Sequence, residues 1–159
     1  MDRSPHDVAT AYHEAGHAVV ALALGRPVQR VSILPNHLRL GHCELGKGMS
    51  RPSQDVLERE ILILLGGPAA EARHTGEYDW DAADRDLRTV RSLTEMRAVT
   101  QRQVERLERR MLDKVEHLLD RPGVWSAIQR VADELLGSTT ISGRAVRHLF
   151  ELATAEADR

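Results

Sequence analysis

Five residues near the start, His13-Glu14-Ala15-Gly16-His17, run directly into the apolar stretch Ala18-Val19-Val20-Ala21-Leu22-Ala23-Leu24. Between Val8 and Leu24 only Gly16 opposes a helix, and Asp7 is placed to cap it. Residues four apart share one face of a helix, so His13 and His17 can present two imidazole nitrogens to one ion. Glu14 lies about 100° further round. This is half of a zinc site with a carboxylate beside it. At this content of histidine and glutamate, roughly 0.03 such matches are expected by chance, so the pattern is informative. The plain alternative is a pair of solvent-facing histidines.

The rest of the chain has to bury that apolar run. Aromatics make up only 3% of 159 residues, so the core must be built from Leu, Val, Ile and Ala, which favours helices. A chain of this length, 42% hydrophobic and 29% charged, is expected to form one domain over 1–159 with a genuine core. The net charge of -2 offers no electrostatic footprint for nucleic acid. Cys43 is the sole cysteine, which excludes an internal disulfide and fits a reducing compartment. No apolar run approaches the ~18 residues of a membrane span. The N-terminus is unlike a secretory signal, so a soluble, cytoplasmic chain is expected.

Gly25 and Pro27 should end the first helix. Val28 to Leu34 reads as a strand closed by Pro35-Asn36, and a second strand over residues 39 to 45 could complete a hairpin. Gly41 to Gly48 imitates a phosphate-binding loop, but its last position is Gly48 where a hydroxyl is needed, and Pro52 opposes the helix that must follow. Nucleotide binding there is not expected. Ser53 should cap a helix from Gln54 to about Leu65, interrupted or bent at Gly66-Gly67-Pro68 and carried on to His74. Its small residues would let it pack closely on the first helix. Glu71, among them, reads equally as a solvated residue or as a partner orienting a ligand histidine.

Between Gly76 and Pro122 the chain has neither glycine nor proline. One helix from Asp84 to Leu119 would be about 50 Å long, too long for such a domain, and Ser92-Leu93-Thr94-Glu95 has the pattern of a capping box at the break. Val104, Leu107, Met111, Val115 and Leu118 form a single helical stripe. A further helix from Val124 should stop at Gly137, and Ser142 should cap the last, with Val146, Leu149, Phe150 and Leu152 facing the core. A two-histidine site needs a third protein ligand, and Asp79, Asp81, Asp84 and Asp86 are the nearest dense supply of carboxylates. As helix-capping residues they would need no such role.

Taken in order, His-Glu-Ala-Gly-His-Ala-Val-Val at 13 to 20, Val-Ser-Ile-Leu-Pro at 31 to 35, Leu-Gly at 40 to 41, Leu-Gly-Gly-Pro-Ala-Ala-Glu at 65 to 71 and Asp86-Leu87 resemble the peptidase domain of FtsH-type ATP-dependent zinc proteases. The ending, Ile128 through Leu149, is similar to that family's C-terminal helices. The resemblance implies a mainly α fold with a small β element, a compact helical zinc-peptidase domain built on the HExxH helix. It implies zinc held by His13, His17 and Asp86, with Asp84 as second choice for the third ligand, and Glu14 as general base of a zinc-dependent endopeptidase. Extended or unfolded polypeptide would be the substrate, paired along the strand at 39 to 45.

Departures from the family are specific. The expected protein is a stand-alone domain without an AAA ATPase module or membrane anchor, so it could not unfold substrates alone. Ala82-Ala83-Asp84-Arg85 replaces Gly-Ala-Ser-Asn before the ligand aspartate, and Pro68 replaces the usual Arg. The alternative is a metal-containing peptide-binding or regulatory module with little activity of its own, acting with a separate ATPase. No nucleic acid partner is expected, and a homo-oligomer is compatible with either reading.

Overall fold

The structure, a computed structural model, describes residues 3–35, 41–46 and 56–159. The opening helix, α1, covers Pro5–Ala23. Its cap is Ser4, whose hydroxyl accepts from the Asp7 amide, so the cap expected at Asp7 belongs to Ser4 instead. Pro5 explains the shift: with φ already helical and no N–H to satisfy, it starts the helix one turn earlier, and Asp7 becomes an acidic residue of the first turn.

Strand β1, Val28–Ser32, ends two residues short of the expected strand and pairs antiparallel with β2, His42–Leu45. Val31 faces Cys43 and Ser32 faces His42, with an irregularity between Val28 and Arg30. The expected strand residues 39 and 40, the turn residue Asn36 and the cap Ser53 lie outside the described residues. So do Lys47 and Gly48 of the phosphate-loop imitation; its residues 42 to 45 are strand. A third strand, β3, Thr140–Ser142, pairs antiparallel with the other side of β1 and gives the order β2-β1-β3. Three residues are too few for an alternating pattern, which is why no periodicity announces it.

Helix α2 runs unbroken over Val56–Thr75, so the interruption expected at Gly66-Gly67-Pro68 does not occur. All three residues are buried there. Their small size is what α1 requires: a Cβ on Gly16 would stand 2.2 Å from the Gly66 carbonyl oxygen, so the two backbones touch at this crossing. The contact offsets the poor helix propensity of glycine and the amide that Pro68 lacks.

Helix α3, Asp84–Thr94, and helix α4, Gln101–Leu119, show the expected break, but its capping box is elsewhere. Thr100 accepts from the Gln103 amide and the Gln103 side chain accepts from Thr100 N–H. The expected box at Ser92 fails because Thr94, fully buried, closes α3 by donating to the Arg91 carbonyl. Val104, Met111, Val115 and Leu118 form the buried stripe of α4.

Helix α5, Val124–Ser138, passes through Gly137 instead of stopping there. The terminating residue is Thr139, at φ 63, because its carbonyl must turn to accept from the Ile33 amide as the chain enters β3. Ser142 caps α6, Gly143–Ala157, as expected. Val146 is fully buried, whereas Leu152, expected in the core, is 40% exposed. Ile61, Leu119, Ile128 and Leu135 are the largest side chains fully enclosed, each contributing about 1.5–3 kcal/mol by leaving water. No helix among the described residues is long and apolar enough to cross a membrane.

Candidate metal centre

Two successive turns of α1 carry His13 and His17, which point at the same space from one face, with ring centroids 4.8 Å apart and planes nearly perpendicular. Beneath them runs α2 at Gly67. A Cβ there would lie 2.5 Å from His17 Nε2 and 2.9 Å from His13 Cδ2, so only glycine leaves room for both rings. The first turn of α3 brings in Asp86, whose Oδ2 lies 2.8 Å from His13 Nε2 and 3.2 Å from His17 Nε2. One donor atom each from His13, His17 and Asp86 falls within 4.8 Å of the others.

Both rings are oriented from behind. His13 Nδ1–H donates to Glu71 Oε1 at 3.0 Å, and His17 Nδ1–H donates to the Ile63 carbonyl at 2.8 Å. Each bond fixes the tautomer that turns Nε2 toward the shared point. Of the two readings of Glu71, solvated residue or partner of a histidine, the geometry matches the second: it is buried against the ring. The Ile63 carbonyl has no counterpart in the sequence reading, since every residue owns one.

Burial alone would lower His13, yet its hydrogen bonds to Asp86 and Glu71 outweigh this and raise it to about 10. His17 is raised for the same balance of reasons, desolvation opposed by the Asp86 charge. Asp86 moves the other way. Burial would raise it, but the His17 charge and bonds from both imidazoles hold it well below the usual carboxylate range. The two Nε2 atoms and the Asp86 carboxylate converge on the point that a bound cation would occupy.

The other aspartates stand apart. Asp84 is exposed and pairs with Arg88 at 3.1 Å, one turn along α3. Asp79 Oδ1 accepts from the Ala82 amide, and Asp81 is exposed. Glu14 is 7% exposed and lies outside the donor set, its Cγ 3.1 Å from where a Cβ on Gly41 would sit. A cleft of about 380 Å³ opens over these groups, with Glu14, Gly41, Cys43 and Arg85 in its walls.

Residues 3–101 match the family model described as Peptidase family M41. Among similar proteins, an ATP-dependent zinc metalloprotease FtsH of Methylibium petroleiphilum is 44% identical over 84 residues, which is 46% of this chain and 13% of the relative. The FtsH of Pelobacter propionicus is 38% identical over 90 residues, 54% of this chain and 14% of the relative. That of Thermotoga maritima is 42% identical over 83 residues, 46% and 13% respectively. The matches thus cover about half of this chain and a small part of each relative.

Proposed function

This chain belongs to peptidase family M41, and on that premise we propose that it is a zinc-dependent endopeptidase acting on extended or unfolded polypeptide. The observation that carries the proposal is the convergence of His13 Nε2, His17 Nε2 and Asp86 Oδ2, with each imidazole oriented through its other nitrogen. Two neutral nitrogens and one carboxylate form the donor set that zinc takes in hydrolytic sites, and it leaves a coordination position open. Zinc held there would supply a water with its pKa lowered to about 7 and a polarised scissile carbonyl.

The chain's own groups account for the remaining work. Glu14, next to His13 in sequence but turned out of the donor set, takes the proton of the attacking water and delivers it to the departing amine. Its burial keeps bulk water from competing for that proton. The substrate is held by β2, which forms one edge of the sheet and adjoins the cleft through Cys43 and Leu45. Main-chain pairing along such an edge demands an extended segment and tolerates many sequences. Folded substrates then require prior unfolding, and an ATPase is the partner this reading assigns.

Metal removal tests the proposal. Exhaustive chelation is expected to abolish casein hydrolysis and stoichiometric zinc to restore it; hydrolysis that survives at zero measured metal would end the metallopeptidase reading. Glu71 gives a graded check. Glu71→Gln keeps a hydrogen-bond acceptor for His13 but removes the charge, and zinc affinity should fall about 10- to 100-fold, measured by competition with a chromophoric chelator.

A further inference from the structure

Between α2 and α4, beside Leu24 just past the end of α1, lies a second groove of about 560 Å³ that shares no lining residue with the cleft over His13 and His17. Its floor holds an anomaly. Arg59 is only 7% exposed, and its Nε is enclosed with no hydrogen-bond partner. Of the described carboxylates beside it, Glu60 pairs with Arg26 and Glu58 with Lys114, while Asp113 lines the same groove. Arg59 also adds its like charge to Arg26, whose pKa desolvation already lowers. A buried guanidinium nitrogen without a hydrogen-bond partner among the described residues is costly, and the planar donor fork of arginine matches an oxyanion.

The groove's charge balance points the same way. Arg59, Arg110, Lys114 and Arg121 line it against only the carboxylates of Glu58 and Asp113, leaving two positive charges in excess. Arg110 and Lys114 are exposed along the α4 side, so they can follow an anion in from solvent. We propose that this groove binds a doubly charged oxyanion of the phosphate type, with the buried Arg59 guanidinium as its anchor and Arg110 and Arg121 supplying charge at the rim. The site is independent of the peptidase reading, since the two openings share no lining residue.

Calorimetric titration of the zinc-loaded chain decides it, with inorganic phosphate in one arm and AMP in the other, each against sodium chloride of equal ionic strength. Saturable one-to-one binding is expected, weakened about tenfold or more by Arg59→Met and several-fold by Arg110→Gln, whose peptide hydrolysis stays parental. Binding in both arms identifies the oxyanion alone as sufficient; binding of AMP only identifies a phosphoryl group on a larger molecule. Should Arg59→Met fail to fold, Arg110→Gln combined with Arg121→Gln takes its place. No saturable binding, or the same affinity in parent and variants, overturns the proposal; the latter result would put the anion elsewhere, at the zinc for instance.

Discussion

Replacing Glu14 by glutamine is expected to lower peptide hydrolysis by about 10²- to 10⁴-fold while leaving one zinc per chain. Glutamine has nearly the shape of glutamate, so the tight approach of Gly41 to the Glu14 stem is preserved. The amide, however, cannot take a proton at neutral pH. Metal retention follows from geometry, because the three donor atoms belong to His13, His17 and Asp86. The Glu14 charge favours the protonated form of both imidazoles. The loss should fall on kcat and leave KM nearly unchanged, the signature of a group that acts only in the transition state. Initial rates on an unfolded peptide, together with zinc measured by emission spectroscopy, check both halves. Parental turnover in this variant would remove Glu14 from the reaction.

The contrast between what the sequence made legible and what it concealed lies in range. The i, i+4 pair His13 and His17 is a local fact of helix geometry, and so are the α4 stripe and the Ser142 cap; each is readable from spacing alone. Pro68 misled as far as local propensity argued for an interruption, whereas the α1 crossing, a contact between Gly16 and Gly66 fifty residues apart, packs against α2 as one continuous helix. Thr139 misled in the opposite direction. Gly137 is the residue a helix end prefers, but the position of the end is set by the Ile33 amide across the sheet, and a β-branched residue accepts the positive φ. The orientation of His17 by the Ile63 carbonyl was illegible in principle, since backbone acceptors leave no trace in composition. Family likeness narrowed the aspartates to a preference for Asp86 over Asp84; spacing alone could not, because both stand in the first turn of α3.

That pair provides the sharpest remaining test, since the two carboxylates are two residues apart and face different surroundings. Asp86→Ala should lower zinc affinity by more than the ~10- to 100-fold typical of removing a group that only orients a ligand, and peptide hydrolysis should fall with it. Without Oδ2, nothing in the described donor set replaces the third ligand. Asp84→Ala removes an exposed ion pair to Arg88 and a favourable charge at a helix start, changes worth about 0.3–1 kcal/mol. Its zinc content and turnover should stay at the parental level. Circular dichroism of both variants guards against simple unfolding, and Asp86→Asn separates loss of charge from loss of an oxygen donor. If Asp86→Ala kept full zinc and parental hydrolysis, the third ligand would have to be another carboxylate, with Glu71, already bonded to His13, the first to examine. Coordination by Glu71 through the same ring it now orients would require His13 to turn over, and that rotation would break the arrangement from which the peptidase reading was drawn.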